Sequence, residues 1–166
     1  LVGSEMCIRD RPWPGYASMK LKFQIEIDAG VDDVWTAFDD TANLERWVRN
    51  FRSFAPLSGK PGQPGSVAEF VFAERGRPVA LKATVTERRE PDFLAGTYES
   101  PQGNSLIVHH FDKISDDRTR WSVWGNFTFT GVIKYLSVFL AGNIRRHMEG
   151  DMQRFKLMVE SDLAGK

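Results

Sequence analysis

The sequence has a single cysteine, no excess of charge of either sign and no long apolar run. Because Cys7 is alone, the chain can form neither an internal disulfide nor a multi-cysteine metal site. The 22 lysine and arginine residues balance 22 aspartate and glutamate residues, which removes the basic surface that nucleic acids require. No uncharged stretch reaches the roughly 18 residues needed to span a bilayer. We therefore expect no nucleic-acid partner and no stable membrane insertion.

Histidine is also scarce, with only His109, His110 and His147 in the sequence. His109 and His110 are adjacent in a predicted strand, so their side chains point to opposite faces and cannot chelate one metal together. No HxxxH, HExxH or carboxylate cluster supplies the missing ligands. We expect no metal site and no other cofactor.

The first 18 residues differ from the rest, because they show neither helical nor strand periodicity and contain Pro12, Pro14 and Gly15. The string VGSEMCIRDR within them looks like translated sequencing-adaptor read-through. No basic region precedes an apolar core there, so we expect a cytoplasmic protein rather than a secreted one. The sequence predicts a non-native or disordered extension over residues 1–18 and one domain over residues 19–164, a length sufficient for one hydrophobic core.

Periodicity predicts the elements of this domain. The alternating string KLKFQIEID from Lys20 onward is typical of a half-buried strand. Two short amphipathic helices follow, within residues 31–38 and 44–48, and then the strand-like FRSFAPL and a loop rich in glycine and proline at residues 58–66. Five more strands, joined by short turns that indicate antiparallel pairing, are predicted at residues 67–74, 78–88, 93–99, 104–114 and 119–130.

Residues 132–163 contain no proline and predict one long C-terminal helix. One apolar stripe runs along it: Leu136, Leu140, Ile144, Met148, Met152, Phe155, Val159 and Leu163. The fold class is therefore α+β, a curved seven-stranded antiparallel sheet around a long C-terminal helix, with two short helices after strand 1. A curved sheet crossed by one helix leaves a gap that its own side chains do not fill, and we expect a binding cavity in that gap.

Several strings, in this order, resemble the SRPBCC superfamily of START-like, helix-grip proteins, and within it the polyketide cyclase/dehydrase-type members. They are DDVWTAFDDTANLERW (32–47), GKPGQPGSVAEFVF (59–72), ATVTERREPDFLAGTYES (83–100), TRWSVWGNFTFTG (119–131) and NIRRHMEGDMQRFKLMVES (143–161). The resemblance covers residues 19 to about 164 and implies an internal cavity for a lipid, a polyketide or another apolar ligand. It also implies that Trp47 lies beside the cavity mouth.

Aromatic side chains and the helix stripe supply the candidate ligand-binding residues, because pockets for small molecules are lined mostly by apolar and aromatic groups. These candidates are Trp47, Phe51, Phe70, Phe72, Trp121, Phe127, Leu136, Leu140, Ile144 and Met148. The corresponding function is the binding of a hydrophobic small molecule.

Two alternatives remain open on the sequence alone. A polyketide cyclase or dehydrase needs a proton donor and acceptor around its substrate, for which His109, Tyr98 and Glu99 are the candidates. These residues equally fit a purely structural role on strands, and no catalytic set is assembled by spacing. An interaction protein, or a homodimer, could instead use the apolar segment 132–142 as its docking surface.

Overall fold

The computed structural model describes residues 17–74, 76–101, 103–129 and 137–165, without the side chains of residue 17 and of residues 137–140. Most of the predicted extension, including Cys7, lies outside the described residues, and so do Leu136 and the side chain of Leu140. The first strand begins at Ala17, two residues before the predicted domain boundary, because the last strand continues to Phe129 and pairs with it there.

The described elements follow the predicted order. They are β1 (Ala17–Ile27), α1 (Val31–Asp39), α2 (Leu44–Trp47), β2 (Phe51–Ser58), β3 (Val67–Glu74), β4 (Arg77–Arg89), β5 (Phe93–Ser100), β6 (Gly103–Ser115), β7 (Arg118–Phe129) and α3 (Ser137–Ala164), with one 3₁₀ turn at Thr41–Asn43. The predicted order of the strands along the chain, the two short helices and the long C-terminal helix are confirmed.

The seven strands form one antiparallel sheet in the order β1-β7-β6-β5-β4-β3-β2. Strands β2 to β7 form a meander, and β1 returns to pair with β7 over its whole length. We call the face that carries Phe23, Phe111 and Trp121 the inner face, because these side chains pack in one core with residues of α1 and α3. Since side chains alternate along a strand, the register assigns every second residue to this face.

Helix α3 contains 28 residues, about 42 Å of helix. It packs against β1, α2 and α1, and it buries Met152, Phe155 and Val159 almost completely. Arg46 of α2 donates two hydrogen bonds of 2.6 and 2.7 Å to Asp162 of α3, which fastens the short helix to the long one. None of the helices among the described residues is long and apolar enough to cross a membrane.

Candidate functional site

The inner face of the sheet has a packed end and an open end. Strand β6 contributes residues to both ends. Phe111 and His109, at the packed end, are 1% and 8% exposed, whereas Ile107 and Ser105, towards the open end, are half-buried. The packed end is the hydrophobic core, where α1, α2 and α3 meet β1, β6 and β7. The open end is therefore the part of the inner face with apolar surface that the protein itself covers only partly.

Phe38 of α1 is half-buried and contacts several rings of the packed end. Its ring centroid is 4.9 Å from His109, 5.0 Å from Phe111 and 5.7 Å from Trp121. Trp47 belongs to the same cluster, with its ring 5.9 Å from Trp121. Two of the predicted ligand-binding residues, Trp47 and Trp121, thus pack mainly against other protein side chains.

The Trp47 side chain also carries a polar group without a partner. Its Nε1 is buried and has no hydrogen-bond acceptor among the described residues. The backbone carbonyl of the same residue accepts a 3.0 Å hydrogen bond from Arg154 Nε of α3. This bond holds the end of α2 against α3 and fixes where the indole ring enters the core.

Five aromatic residues form the wall of the open end, which we call the aromatic wall: Phe51, Phe54, Phe70, Phe72 and Tyr98. The Phe70 ring lies 5.1 Å from Phe54, 6.5 Å from Phe72 and 6.3 Å from Tyr98, between ring centroids, and Phe51 lies 6.2 Å from Phe72. All five are half-buried. The register explains the cluster, because four of these residues occupy inner-face positions of the adjacent strands β2 and β3, and Tyr98 occupies one on β5, from which its ring reaches Phe70 across β4.

Gly96, Ile107 and Gly125 lie in one row of the inner face, which we call the glycine groove because two of these three positions have no side chain. Gly96 of β5 and Gly125 of β7 both pair with Ile107 of β6. The Ile107 side chain therefore has a glycine, without a side chain, on each side of it in this row. The rings of Tyr98 and Phe127, each two residues further along, lie against these glycines, and a Cβ at position 125 would overlap the Phe127 ring. Glycine is therefore required for this ring position.

The Gly-x-aromatic spacing of this groove occurs twice in the sequence, as GTY and GNF, but the spacing alone predicts no site. Only the register shows that the two strings lie on either side of β6 in the same two rows. The predicted candidate Phe127 is half-buried at this groove. The helix candidates Ile144 and Met148 are also half-buried, and Met148 packs against the core.

His109 is a buried, neutral histidine at the border between the two ends. Its Nδ1 accepts a 3.3 Å hydrogen bond from Trp121 Nε1. Burial lowers the pKa of His109 to about 3, and repulsion from His110 contributes in the same direction. A histidine with this pKa carries no charge near neutral pH, so it cannot act there as a cationic acid.

Tyr98 and Glu99, the other two predicted proton-transfer residues, point in opposite directions. Tyr98 belongs to the aromatic wall, and burial raises the pKa of its hydroxyl. Glu99 lies on the outer face, with its side chain 51% exposed and 3.7 Å from Lys82 Nζ. The structure therefore does not bring Glu99 together with His109 and Tyr98, because adjacent strand residues point to opposite faces.

His109 and Tyr98 share the inner face but do not form a pair. The row of Tyr98 contains Ser105, and the row of His109 lies four residues further along β6, about 13 Å away at the rise of a strand. The two side chains thus flank the glycine groove from its two sides.

Arg88 is a charged inner-face residue whose direction strand alternation does not predict. An irregularity in β4 between Val85 and Glu87 shifts the register, so that Arg88 pairs with the inner-face residue Leu94. Its side chain is 7% exposed, and the guanidinium binds Asp39 at 2.6 Å and Glu90 at 2.7 Å. These two carboxylates neutralise the charge, and the hydrogen bonds raise the pKa of the guanidinium further.

A seven-stranded antiparallel sheet around a long C-terminal helix, with a partly open apolar inner face, defines the helix-grip fold. Residues 18–160 match the family described as polyketide cyclase/dehydrase and lipid transport, and the chain belongs to that family. The resemblance stated from the sequence is thereby confirmed. No curated protein matches the sequence.

Solved structures of the same fold come from several bacteria. The ZhuI aromatase/cyclase of a Streptomyces species has a TM-score of 0.76 and 11% identity, over 89% of this chain and 96% of that chain. A START superfamily protein of Mycobacterium smegmatis has a TM-score of 0.69 and 14% identity, over 86% and 97%. A Staphylococcus aureus protein of unknown function has 0.73 and 10%, over 90% and 98%. At these identities the likeness shows the fold.

Proposed function

We propose that the protein binds a hydrophobic small molecule at the open end, between the aromatic wall, the glycine groove and the first half of α3. The observation that carries this proposal is the aromatic wall itself, five neighbouring rings that the protein covers only partly. Small-molecule sites are concave, apolar and lined by aromatic groups with a few polar ones. A contiguous apolar surface of this kind is otherwise unfavourable in water. Membership of a family named for polyketides and lipid transport supports the same class of ligand.

A cyclase or dehydrase is the second candidate function, and one observation favours it: His109 and Tyr98 both lie on the inner face. Their protonation states argue against proton transfer between them, because the pKa of His109 is lowered and that of Tyr98 is raised. The Nδ1 lone pair of His109 is also occupied by Trp121. We therefore place ligand binding first.

Titration with an apolar fluorescent probe, N-phenyl-1-naphthylamine, tests the binding function. We expect saturable fluorescence enhancement with the wild-type protein. Phe72→Ala should weaken binding about 5- to 20-fold, since it removes one ring face from the ligand surface, worth about 1 to 2 kcal/mol. Phe72 is suited to the test because it lies in the aromatic wall and is not among the residues that pack against the core.

The matched control is Trp124→Ala, which removes an aromatic side chain that is 54% exposed on the outer face of β7. This variant should bind the probe as the wild type does. Absence of saturable binding by the wild type, or equal weakening by both variants, would show that the aromatic wall is not the binding surface.

A further inference from the structure

The open end is bordered by three neutral polar side chains, those of His109, Tyr98 and Ser105, which share inner-face rows of β5 and β6. Tyr98 keeps its hydroxyl proton near neutral pH, since burial raises its pKa. The buried cation Arg88 is already bound by Asp39 and Glu90. The guanidinium of Arg145 in α3 lies 5.6 Å from the ring centroid of the inner-face residue Phe23, and it is 3.4 Å from Glu149. Both of these cations are thus paired with carboxylates, and the three neutral side chains offer hydrogen bonds without an unpaired charge.

The bond between Trp121 and His109 determines which imidazole nitrogen carries the proton. An indole N–H can only donate, so the Nδ1 that accepts from it must present a lone pair. A neutral imidazole has one proton, and that proton must then be on Nε2. No described residue accepts a hydrogen bond from Nε2.

Trp121 is well placed to keep this arrangement. It is 1% exposed, its ring is stacked at 5.7 Å on Phe111, and it packs at 4.9 Å against Phe155 of α3. Its ring is also nearly parallel to that of His109, with 25° between the planes and 5.9 Å between the centroids. Packing on both sides leaves the indole N–H little freedom to turn away from Nδ1.

We propose that Trp121 is a positioning residue that holds His109 as the neutral tautomer protonated at Nε2, and that His109 thereby selects neutral apolar ligands with an oxygen acceptor, such as a ketone. A polar donor without a partner favours a ligand that completes its hydrogen bond. A carboxylate ligand has no unpaired cation to meet at this surface and loses its hydration. This inference rests on the proposed ligand-binding function.

Nitrogen-15 NMR of the histidine side chains tests the tautomer directly in the wild-type protein. Long-range proton–nitrogen correlations distinguish a protonated ring nitrogen from one with a lone pair. For His109 we expect a proton on Nε2 and a lone pair on Nδ1 at neutral pH. A proton on Nδ1, or a doubly protonated ring, would overturn the proposal whatever the binding data show.

Three matched probes test the selection of ligands: 2-acetylnaphthalene, 2-ethylnaphthalene and the anion of 2-naphthaleneacetic acid. They share one ring system and differ in carrying a ketone, a hydrocarbon chain or a carboxylate. We expect the ketone to bind about fivefold tighter than the hydrocarbon, as one added hydrogen bond provides, and the carboxylate to bind weakest. Titration followed by tryptophan fluorescence or calorimetry gives the three dissociation constants.

Variants link this preference to the two residues. His109→Phe should bring the ketone-to-hydrocarbon ratio to about one, while His109→Gln, which retains an N–H donor, should keep part of it. Trp121→Phe keeps a ring but loses the indole donor, so both His109 tautomers should appear and the ratio should fall. If Trp121→Phe does not fold, the wild-type spectrum and the His109 variants still decide the proposal.

The outcomes separate this inference from the proposed function. If none of the probes binds, the ligand-binding function fails, and the selection by His109 fails with it. If the hydrocarbon and the ketone bind equally, or the carboxylate binds best, the protein binds apolar ligands but His109 does not select them as proposed.

Discussion

His109 illustrates what a single residue contributes. Strand alternation predicts that it shares a face with Ile107 and Phe111 and that His110 does not, and the structure has this arrangement: His110 lies on the other face, against Phe93. The low pKa of His109, however, results from its burial beside Phe38 and Trp121. Neither neighbour is close to it in the sequence.

The low pKa of His109 predicts a pH dependence of stability. In the unfolded chain its pKa is the ordinary 6.5, and in the folded protein it is about 3. Between these two pH values, His109 binds a proton in the unfolded state but not in the folded state. The free energy of unfolding therefore falls as the pH falls, and His109 contributes up to about 1.4 kcal/mol per pH unit to this decrease. Urea denaturation of wild type and His109→Phe between about pH 6 and pH 5 measures the difference.

The variant should lose less stability than the wild type as the pH falls over this range, because it lacks the proton uptake of His109 in the unfolded state. The groups that both proteins share contribute equally and cancel in the comparison. Equal slopes for the two proteins would mean that His109 takes up its proton as easily in the folded state as in the unfolded one. The burial argument for a neutral His109 would then be wrong.

At the scale of elements, Arg88 connects parts of the chain that the sheet alone does not hold together. From the end of β4 it binds Asp39 at the end of α1, and it donates a 3.2 Å hydrogen bond to the carbonyl of Gly62 in the loop that precedes β3. Its guanidinium also lies 5.0 Å from the ring centroid of Trp35. One side chain thus fixes a helix, a strand and the glycine-rich loop relative to one another.

Replacement of Arg88 should destabilise the fold. Arg88→Met keeps much of the apolar stem but loses the bonds to Asp39 and Glu90, for an expected cost of about 2 to 3 kcal/mol in the free energy of unfolding. The control is Arg89→Met, because Arg89 is the next residue, its side chain is 59% exposed and it lies 3.6 Å from Glu87. An exposed pair of this kind should contribute less than about 1 kcal/mol.

Urea denaturation compares the two arginine variants with the wild type. A cost for Arg88→Met no larger than that for Arg89→Met would contradict the connecting role of Arg88. It would indicate that the strands and α1 keep their positions without the buried guanidinium.

For the whole molecule, the main feature is the unequal packing of the two ends of the inner face. The buried core lies mostly on β1, β6, β7, α1 and residues 152–159 of α3, whereas the aromatic wall on β2, β3 and β5 is half-buried. Local stability follows buried apolar contacts. The aromatic wall should therefore be the less stable part of the sheet until a ligand covers it.

Hydrogen exchange measured by mass spectrometry tests this difference. We expect the slowest exchange in β1, β6, β7 and residues 152–159, and faster exchange in β2 and β3. A saturating concentration of N-phenyl-1-naphthylamine should slow exchange most in β2, β3 and β5, because a ligand that binds only the folded state stabilises the elements it contacts. Uniform protection without the probe, or protection by the probe confined to β1 and β7, would contradict this assignment.

The docking surface predicted at residues 132–142 lies almost entirely outside the described residues and side chains. A homodimer or another partner bound through this segment stays a prediction. The same holds for the predicted extension over residues 1–18, of which the structure describes only Ala17 and Ser18 as the start of β1.

Side-chain alternation and helical spacing, which are local properties, determined the order of the elements and the face that His109 shares with Ile107 and Phe111, and the resemblance of several strings indicated the family. Only the tertiary structure decided which end of the inner face is packed. It placed Trp47 and Trp121 in the core, turned Arg88 inward through the irregularity in β4, and aligned Gly96 with Gly125 across Ile107. These features depend on the register between strands and on contacts between residues far apart in the chain, which local periodicity does not encode.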